Sequence, residues 1–317
     1  MSGILVFRQS PTLTEYETLR HFLNLRDFDT DRLQAMLDTA ADMKSRRAAP
    51  QPLAGKMVGM IFEKPSTRTR VSFEVGIRQL GGTPVILSAS ELQLGRGESV
   101  ADTARVLSRY LDGVMIRALS HDTVTEFASE GTIPVINGLT NLSHPCQIMA
   151  DLQTVAERLG PLENQIVSWF GDGNNVANSW IEAAALFGFE LRIAGPEAYR
   201  PPADLVAWAR SQGAQISFSD NAAEAARNAT VLVTDVWISM GDDEGTRLRD
   251  MAPFQVNDEL MSVAAPDAIF LHCLPAIRGN EVTAEVIDGA QSAVFDEAEN
   301  RLHAQKAVMA HIFSENF

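Results

Sequence analysis

Apolar residues along this chain follow two kinds of pattern that alternate. Residues 29–47 repeat apolar side chains at helical spacing, and residues 56–62 (KMVGMIF) form a short apolar run typical of a buried strand. After a polar stretch, residues 70–82 predict a helix that ends at a glycine pair, and residues 83–88 (TPVILS) predict the next strand. These elements form a βαβ unit, with the polar stretch at its first strand-to-helix turn.

A second alternating pattern begins near residue 165. QIVSWF (165–170) is strand-like, and after the turn GDGNN the segment 176–188 predicts a helix. Further strands are predicted within 189–195, 229–237 and 268–275. Strands that alternate with helices imply parallel sheets covered on both faces, so the fold class is α/β with mostly parallel sheets flanked by helices.

The two patterns divide the chain into two predicted domains. A length of 317 residues suits two domains, each large enough to bury a core. The helical segment CQIMADLQTVAERLG lies between the patterns. We therefore place the first domain at residues 1–147 and the second at 148–299. A last helix within 300–317 can pack back onto the first domain.

Composition narrows the function classes. The formal net charge is −15, which argues against a nucleic-acid binder or a polybasic membrane surface. Only two cysteines, Cys146 and Cys273, are present, so no disulfide framework is implied and a reducing cytoplasm is expected. We also expect no secretory or transit peptide in residues 1–20 and no membrane span, because no apolar run approaches 18 residues.

Five polar residues in a row, Ser66 to Arg70, follow the first strand. Three hydroxyls and two guanidiniums do not pack a core, and a strand-to-helix turn offers free N–H groups. Such a turn favours a phosphate, to which arginine adds charge-assisted hydrogen bonds. The structural alternative is an ordinary helix start with a solvated arginine pair. No glycine-rich run ends in Gly-Lys-Ser/Thr, so nucleotide hydrolysis is not favoured.

Two further motifs carry reactive side chains next to predicted helices or strands. SHPCQ (143–147) places His144 and Gln147 at a helix start, where histidine can donate to an oxyanion and glutamine can both donate and accept. LHCLP (271–275) offers Cys273, either as an activated thiolate or as a small core residue. Each motif taken alone also has an ordinary structural interpretation.

The glycine motif GDGNN (171–175) invites comparison with dinucleotide-binding turns. That fingerprint needs glycine or alanine at its sixth position, where this chain has Val176, and the next strand ends without the acidic residue expected for a ribose. The interpretation of the chain as a dehydrogenase is therefore weakened. The glycines still permit a tight turn from which Asn174 and Asn175 can reach a ligand.

TDVWISMG (234–241) places Asp235 at the carboxyl end of a strand, where open α/β sheets bind ligands. Asp235 can bind an ammonium group and Ser239 a carboxylate. The alternative is a loop acid beside a partly buried Trp237. No Cys-x-x-Cys or HExxH spacing occurs, so no metal site is expected.

Together and in this order, FEKPSTRTR, SHPCQ, GDGNN, DVWISMG and HCLP resemble the aspartate/ornithine carbamoyltransferase family. SMG after DVW, with HCLP, resembles its ornithine branch. The similarity runs from HFLNLRDF near the N-terminus to ENRLHAQKAVM near the C-terminus. It implies two α/β domains around a cleft that holds the active site, a homotrimer or assembly of trimers, and no cofactor.

The resemblance implies two small-molecule substrates, carbamoyl phosphate and L-ornithine, and the products citrulline and phosphate. The implied contacts to carbamoyl phosphate are Ser66, Thr67, Arg68, Thr69, Gln93, Arg117, His144, Gln147, Cys273, Leu274 and Arg301. The implied contacts to ornithine are Asn175, Asp235, Ser239 and Met240. The predicted catalytic residues are Arg68, Arg117, His144 and Cys273. Gln93 matches a residue that reaches the substrate of a neighbouring subunit.

Carbamoyl transfer suits these residue types. A neutral amine attacks a carbonyl while phosphate leaves, so hydroxyls and guanidiniums can neutralise the leaving group. Thr69, Arg117 and His144 can stabilise the oxyanion of a tetrahedral intermediate. Holding two substrates in line supplies much of the remaining acceleration.

Three alternatives remain open from the sequence. The same chemistry can act on another amine, such as putrescine or a modified ornithine, although Ser239 to Gly241 favour a free amino acid. A nicotinamide-dependent dehydrogenase is a second alternative, weakened by the broken glycine fingerprint. A relative that has lost catalysis is the third, yet every site residue is present.

Overall fold

The computed structural model describes residues 21–45, 51–88, 97–238 and 244–314. The first half of the chain forms a sheet whose strands are β1 Met57–Phe62, β2 Thr83–Ser88, β3 Gly113–Arg117 and β4 Val135–Leu139. They run parallel in the order β2-β1-β3-β4. The helices of this half are α1 Thr30–Ser45, α2 Thr67–Gln79, α3 Val100–Leu107, α4 His121–Glu130 and α5 Pro145–Leu159.

The second half forms a five-stranded parallel sheet. Its strands are β5 Ile166–Phe170, β6 Glu190–Ala194, β7 Ile216–Ser219, β8 Val231–Thr234 and β9 Ile269–His272, in the order β7-β6-β5-β8-β9. Its helices are α6 Asn175–Phe187, α7 Ala203–Ser211, α8 Ala222–Ala226, α9 Glu244–Met251, α10 Asp258–Val263, α11 Ala284–Ile287 and α12 Val294–Ser314. The predicted α/β class with two parallel, helix-flanked sheets is confirmed.

The strands β5, β8 and β9 were predicted because their residues are almost all buried, so that they form short continuous apolar runs in the sequence. The sequence analysis did not predict β3, β4 and β7. The start of α2 was placed too late. Ser66 is extended, with φ −154°, and occupies the N-cap position without a side-chain capping bond, so Thr67 to Arg70 form the first turn of the helix rather than a preceding loop.

Each sheet has one switch point, a strand from which the strand order continues in both directions. β1 has β2 on one side and β3 on the other, and β5 likewise separates β6 from β8. At a switch point, the connections that leave two neighbouring strands run to opposite faces of the sheet. They leave a crevice at the carboxyl ends of these strands, where open α/β sheets bind ligands. Residues after β1 and β3 and residues after β5 and β8 are therefore the positions at which the fold favours a site.

The main core joins the two sheets. Its buried side chains include Met60 and Met115 from the first sheet and Trp169 and Leu191 from the second, with Ile148 of α5 between them. α5 is buried along most of its length. The predicted boundary between residues 147 and 148 falls inside this helix, and the division into domains stays a prediction.

The last helix lies against the first half of the chain. A Cβ added to Gly76 of α2 would stand 3.0 Å from Met309 Cε, and His311 of α12 lies 2.9 Å from the Thr39 hydroxyl of α1. Lys306 donates to Gln79 over 3.0 Å. Chain residues near the C-terminus thus reach the sheet that carries the hydroxyl–arginine cluster. Among the described residues, no helix is both long and apolar enough to cross a membrane.

Candidate active site

A cavity of about 280 Å³ opens where the switch points of the two sheets face each other. Its lining combines residues from both halves of the chain: Lys64, Ser66, Arg68, Thr69, Arg117, Leu139, His144, Asn175, Val176, Asp235, Val236, Ile238, Cys273, Leu274, Pro275 and Arg301. A larger neighbouring cavity of about 490 Å³ is lined only by residues of the first half, including Thr67 and Arg70. We take the smaller cavity as the site, because polar groups from both sheets converge there.

Arg68 links the two halves across this cavity. Its Nη2 donates to the main-chain oxygen of Leu274 over 2.6 Å. Leu274 has φ +56°, a left-handed conformation that leucine rarely adopts. Its N–H donates to His272 Nδ1 over 2.9 Å, so both its main-chain polar groups are held. This segment is therefore fixed by contacts with the rest of the site rather than by its own preference.

Two further guanidiniums meet at one hydroxyl. Arg117 Nη1 donates to Thr69 Oγ1 over 3.2 Å, and Arg301 Nη2 donates to the same oxygen over 2.9 Å. Burial, together with the nearby Arg301 charge, lowers the pKa of Arg117 to about 10. Burial also lowers the pKa of Arg301. These costs arise because like charges stand close together away from water, and an anion in the cavity would offset them.

His144 faces the same positive groups. It is the residue before α5, its main-chain N–H donates to Ser179 Oγ over 2.9 Å, and its side chain is 3% exposed. Burial, and then the charges of Arg301 and Arg117, lower its pKa well below the usual range. The imidazole is therefore neutral and can donate one N–H. Within the described residues its Nδ1 has no hydrogen-bond partner.

Gln147 lies behind the cavity rather than on its wall. Its Nε2 donates to Asp151 Oδ1 and to Glu297 Oε1, each over 2.7 Å. Its Oε1 accepts from Arg301 Nη1. Both amide hydrogens are thus used, and the side chain presents its carbonyl oxygen toward the arginine. Gln147 is fully buried.

The second sheet contributes an acid and a thiol. Cys273 Sγ donates to Asp235 Oδ1 over 3.0 Å, and Asn174 Nδ2 donates to Asp235 Oδ2 over 3.1 Å. Burial, followed by the Asp235 charge, raises the pKa of Cys273 well above its usual range. Cys273 is therefore a thiol in this arrangement. The interpretation of Cys273 as an activated thiolate does not fit this environment.

The turn GDGNN packs closely against neighbouring backbone and positions the start of α6. A Cβ on Gly173 would stand 2.2 Å from the nitrogen of Pro201, so this glycine is required by the neighbouring backbone. Asn174 Oδ1 accepts from the N–H groups of Val176 and Ala177 and caps α6. Asn175 Nδ2 donates to the oxygen of Thr140 over 2.7 Å, which links α6 to the first half. Asn174 is therefore occupied as a cap, whereas Asn175 lines the cavity.

The structure brings together most residues that the resemblance implied. Ser66, Arg68, Thr69, Arg117, His144, Asn175, Asp235, Cys273, Leu274 and Arg301 all line the shared cavity. Thr67 lines the adjoining cavities instead, and Gln147 stands behind Arg301. Gln93, Ser239 and Met240 lie outside the described residues. Their roles stay predictions.

Sequence reasoning missed two polar residues of the site. Lys64 lines the cavity from the segment before α2. Its place beside the hydroxyl–arginine cluster in FEKPSTRTR was the available signal. His272 holds Leu274, and its Nε2 faces Glu281 Oε1 at 3.2 Å. The apolar run before Cys273 concealed this role, because His272 is buried like its neighbours.

One group of side chains resembles a metal-ligand set. A ligand-capable atom from each of Asp235, His272 and Cys273 lies within 4.8 Å of the others. Both ring nitrogens of His272, however, already face Leu274 N–H and Glu281. The arrangement is explained by the loop and the thiol–carboxylate contact, and the expected absence of a metal stays a prediction.

Family models match both halves of the chain. Residues 20–157 match the carbamoyl-P binding domain of aspartate/ornithine carbamoyltransferase, and residues 163–312 match the Asp/Orn binding domain of the same family. The first match contains the hydroxyl–arginine cluster and His144. The second contains Asp235, Cys273 and Arg301.

Individual relatives agree with these matches. The chain is 56% identical over 296 residues to an ornithine carbamoyltransferase of Nitrobacter winogradskyi, covering 92% of this chain and 96% of that protein. The solved ornithine carbamoyltransferase of Pyrococcus furiosus is 46% identical, with a TM-score of 0.88 and coverage of 92% and 96%. The Thermus thermophilus structure is 42% identical, with a TM-score of 0.85 and coverage of 92% and 98%.

Proposed function

The chain belongs to the aspartate/ornithine carbamoyltransferase family, and on this basis we propose that it transfers the carbamoyl group of carbamoyl phosphate to the δ-amino group of L-ornithine. The products are L-citrulline and phosphate. One observation carries the proposal: three guanidiniums at the first sheet face a carboxylate–thiol pair at the second, across one small cavity. An anion and an amino acid can therefore meet there.

The phosphate group binds at the start of α2. Arg68 lies in the first turn of the helix, where N–H groups without intrahelical acceptors and the helix dipole favour an anion. Arg68 donates to Leu274 in the structure, and phosphate oxygens compete for the same guanidinium. Ser66 makes no side-chain capping bond, so its hydroxyl is available to a ligand. Thr67 binds from the same turn.

The carbamoyl group lies toward Thr69. Thr69 Oγ1 accepts from two guanidiniums, which leaves its own hydrogen to donate to the carbamoyl oxygen. Arg117 and the neutral His144 complete the set of donors. Negative charge that develops on this oxygen is stabilised by donors that are already in place, which is the main source of acceleration in such sites.

Ornithine binds from the second sheet. Asp235 and Cys273 hold the charged α-amino group, and Asn175 borders the path to the first half of the chain. The δ-amine must be neutral to attack. Arg68, Arg117 and Arg301 favour the neutral form through repulsion and desolvation. Arg70, at the end of the hydroxyl–arginine cluster, lines the neighbouring cavity. We assign Ser239 and Met240 to the α-carboxylate end from the resemblance alone.

The direct test is a citrulline assay. Purified protein with carbamoyl phosphate and L-ornithine should form citrulline and phosphate in equal amounts. Putrescine in place of ornithine should give little product, because Asp235 and Cys273 would lack an α-amino group. Formation of carbamoylputrescine at the higher rate would reassign the substrate. A change in NADH fluorescence on adding the protein would favour the dehydrogenase alternative.

The assembly is a homotrimer or an assembly of trimers, with Gln93 of one subunit completing a neighbour's site. Arg68→Ala and Gln93→Ala chains, each inactive alone, should regain activity when dissociated and reassembled together, because a mixed trimer contains an intact site. If the mixture stays inactive, the shared site is wrong.

Cytoplasmic arginine biosynthesis is the proposed setting. Both cysteines, Cys146 and Cys273, are free, as expected in a reducing compartment. An arginine requirement in cells that lack the gene, relieved by citrulline, would support this role.

A further inference from the structure

Two buried carboxyl groups lie behind the site and share one glutamine. Asp151 of α5 and Glu297 of α12 are each 1% exposed. Gln147 Nε2 donates to one oxygen of each over 2.7 Å. One amide nitrogen therefore lies within hydrogen-bond distance of both carboxyls, which makes the two acids close neighbours. Two negative charges this close together and out of water disfavour each other, so one of the carboxyls holds a proton.

The geometry distinguishes the two partners. Glu297 accepts N–H hydrogen bonds at both oxygens, from Gln147 at Oε1 and from the main chain of His272 at Oε2 over 2.9 Å. Asp151 accepts from Gln147 at Oδ1. Its other oxygen, Oδ2, can carry the hydrogen. Glu297 is thus the ionised partner and Asp151 the acid.

The pair controls which way the Gln147 amide points. With both amide hydrogens directed at the carboxyls, Oε1 accepts from Arg301 Nη1, and Arg301 Nη2 donates to Thr69 over 2.9 Å. Glu297 also holds His272, the residue before Cys273. One carboxyl pair therefore contacts both segments that meet at the cavity.

We propose that Asp151 and Glu297 are a positioning pair that shares one proton, fixing Gln147, Arg301 and Thr69 on the carbamoyl phosphate side and His272 on the ornithine side. The inference rests on the proposed function for its effect on turnover. The shared proton itself does not depend on the reaction.

Burial raises the pKa of Asp151 to about 7, and burial together with the neighbouring Asp151 charge raises that of Glu297 well above its usual range. Both shifts favour a proton within the pair near neutral pH. The larger rise at Glu297 by itself favours the proton there, but we place it on Asp151 because both Glu297 oxygens already accept N–H groups. Arg301 opposes the shift at both carboxyls, while Asp235 adds to it at Asp151. Cys273 is a neutral thiol and leaves the pair's charge unchanged. With one proton on the pair, Arg301 faces one negative charge rather than two. A second buried charge without a partner would be strongly unfavourable.

Matched substitutions test the assignment. In Asp151→Asn the amide N–H replaces the acid O–H and the oxygen still accepts from Gln147, so kcat/KM for carbamoyl phosphate should stay within about threefold. In Glu297→Gln one acceptor becomes a donor, so either Gln147 or His272 loses its partner. That variant should lose about tenfold or more. Asp296→Asn, at a half-buried position on the same helix where the carboxylate pairs with Arg158, is the control and should match the kcat/KM of the wild type.

Infrared spectroscopy of the wild-type protein tests the proton directly. At neutral pH the difference between the wild-type and Asp151→Asn spectra should contain a protonated-carboxyl band, and taking the difference removes the band from Glu182, whose pKa burial also raises to about 7. Absence of a band from the difference spectrum, equal damage by the two substitutions, or a harmless Glu297→Gln would each overturn the proposal.

A third measurement avoids activity altogether, in case Glu297→Gln does not fold. The folded pKa of Asp151 is raised from 3.8 to about 7, so its contribution to wild-type stability is complete below pH 3.8 and is lost as pH rises toward 7. Asp151→Asn lacks this titration. Its midpoint of thermal unfolding should therefore rise relative to the wild type over that range. A constant difference contradicts the shared proton, whereas failure of the citrulline assay alone contradicts only the proposed function.

Discussion

Arg68 Nη2 and the main-chain oxygen of Leu274 are 2.6 Å apart, although the residues are 206 positions apart in the chain. This hydrogen bond closes the cavity between the two sheets and holds Leu274 in its left-handed conformation. The same guanidinium is the group that we assign to the leaving phosphate. A substrate that binds Arg68 therefore also changes the contact that joins the two halves.

Arg68→Ala should lower turnover by at least about 10²-fold, the scale of losing one transition-state donor. Carbamoyl phosphate binding should weaken as well, while the fold survives. Steady-state kinetics and circular dichroism measure these effects. Arg78→Ala is the matched control, because Arg78 is exposed at the other end of the same helix, where it pairs with Glu74 at 3.2 Å. Near-normal kinetics for Arg68→Ala would remove this residue from the site.

Thr69→Val should reduce both stability and turnover. The substitution keeps the shape of the side chain but leaves the donors of Arg117 and Arg301 without their common acceptor. An orphaned buried donor costs about 1–3 kcal/mol, measurable by denaturant unfolding. Thr125→Val, at an exposed position on α4, should have little effect on either quantity. Unchanged stability in Thr69→Val would show that the two guanidiniums have other acceptors.

Cys273→Ala should weaken ornithine binding much more than carbamoyl phosphate binding. The thiol donates to Asp235, and its loss disturbs the carboxylate that we assign to the α-amino group. Initial rates with each substrate varied in turn give the two KM values. Cys146→Ala serves as control, because Cys146 donates to Asn137 in the core and should affect stability without this selectivity. An equal loss for both substrates would contradict the assignment.

The apparent affinity for ornithine should rise with pH. A lysine-like amine has a pKa of roughly 10.4, so its neutral fraction rises close to tenfold per pH unit between about 7 and 9. Arginine charges in the cavity favour that neutral form. The KM for ornithine should fall over this range, while that for carbamoyl phosphate changes much less. A flat ornithine profile would show that the protonated amine binds productively.

Glu182 should make wild-type stability depend on pH. Its carboxylate accepts from the main-chain N–H of Leu25 over 2.9 Å and pairs with Arg26 at 3.3 Å, and burial raises its pKa from 4.5 to about 7. Because the folded pKa is raised, the stabilising contribution is complete below pH 4.5 and is lost as pH rises toward 7.

Glu182→Gln lacks this titration, so its free energy of unfolding should gain on that of the wild type by on the order of 3 kcal/mol across the window. Denaturant melts at several pH values measure the difference. Glu163→Gln, at an exposed position, is the control. Parallel curves for Glu182→Gln and the wild type would show that Glu182 titrates normally.

The sequence by itself determined the local elements and the types of chemistry. Runs such as MVGMIF and TPVILS became β1 and β2, because a buried parallel strand needs a short continuous apolar segment and little else. The hydroxyl–arginine cluster could be predicted as an anion site for a similarly local reason. A helix start presents N–H groups without intrahelical acceptors, and arginine side chains beside them favour an anion.

Tertiary structure alone decided which distant groups meet and what state they adopt. The two arginines on Thr69 come from β3 and α12, and the proton that we propose for Asp151 and Glu297 depends on the burial of both carboxyls by α5 and α12. The neutral state of His144 and the thiol state of Cys273 likewise follow from burial and nearby charge. Sequence periodicity reports which face of an element is buried. Distances between faces, and hence pKa values, are set by the packing of elements far apart in the chain.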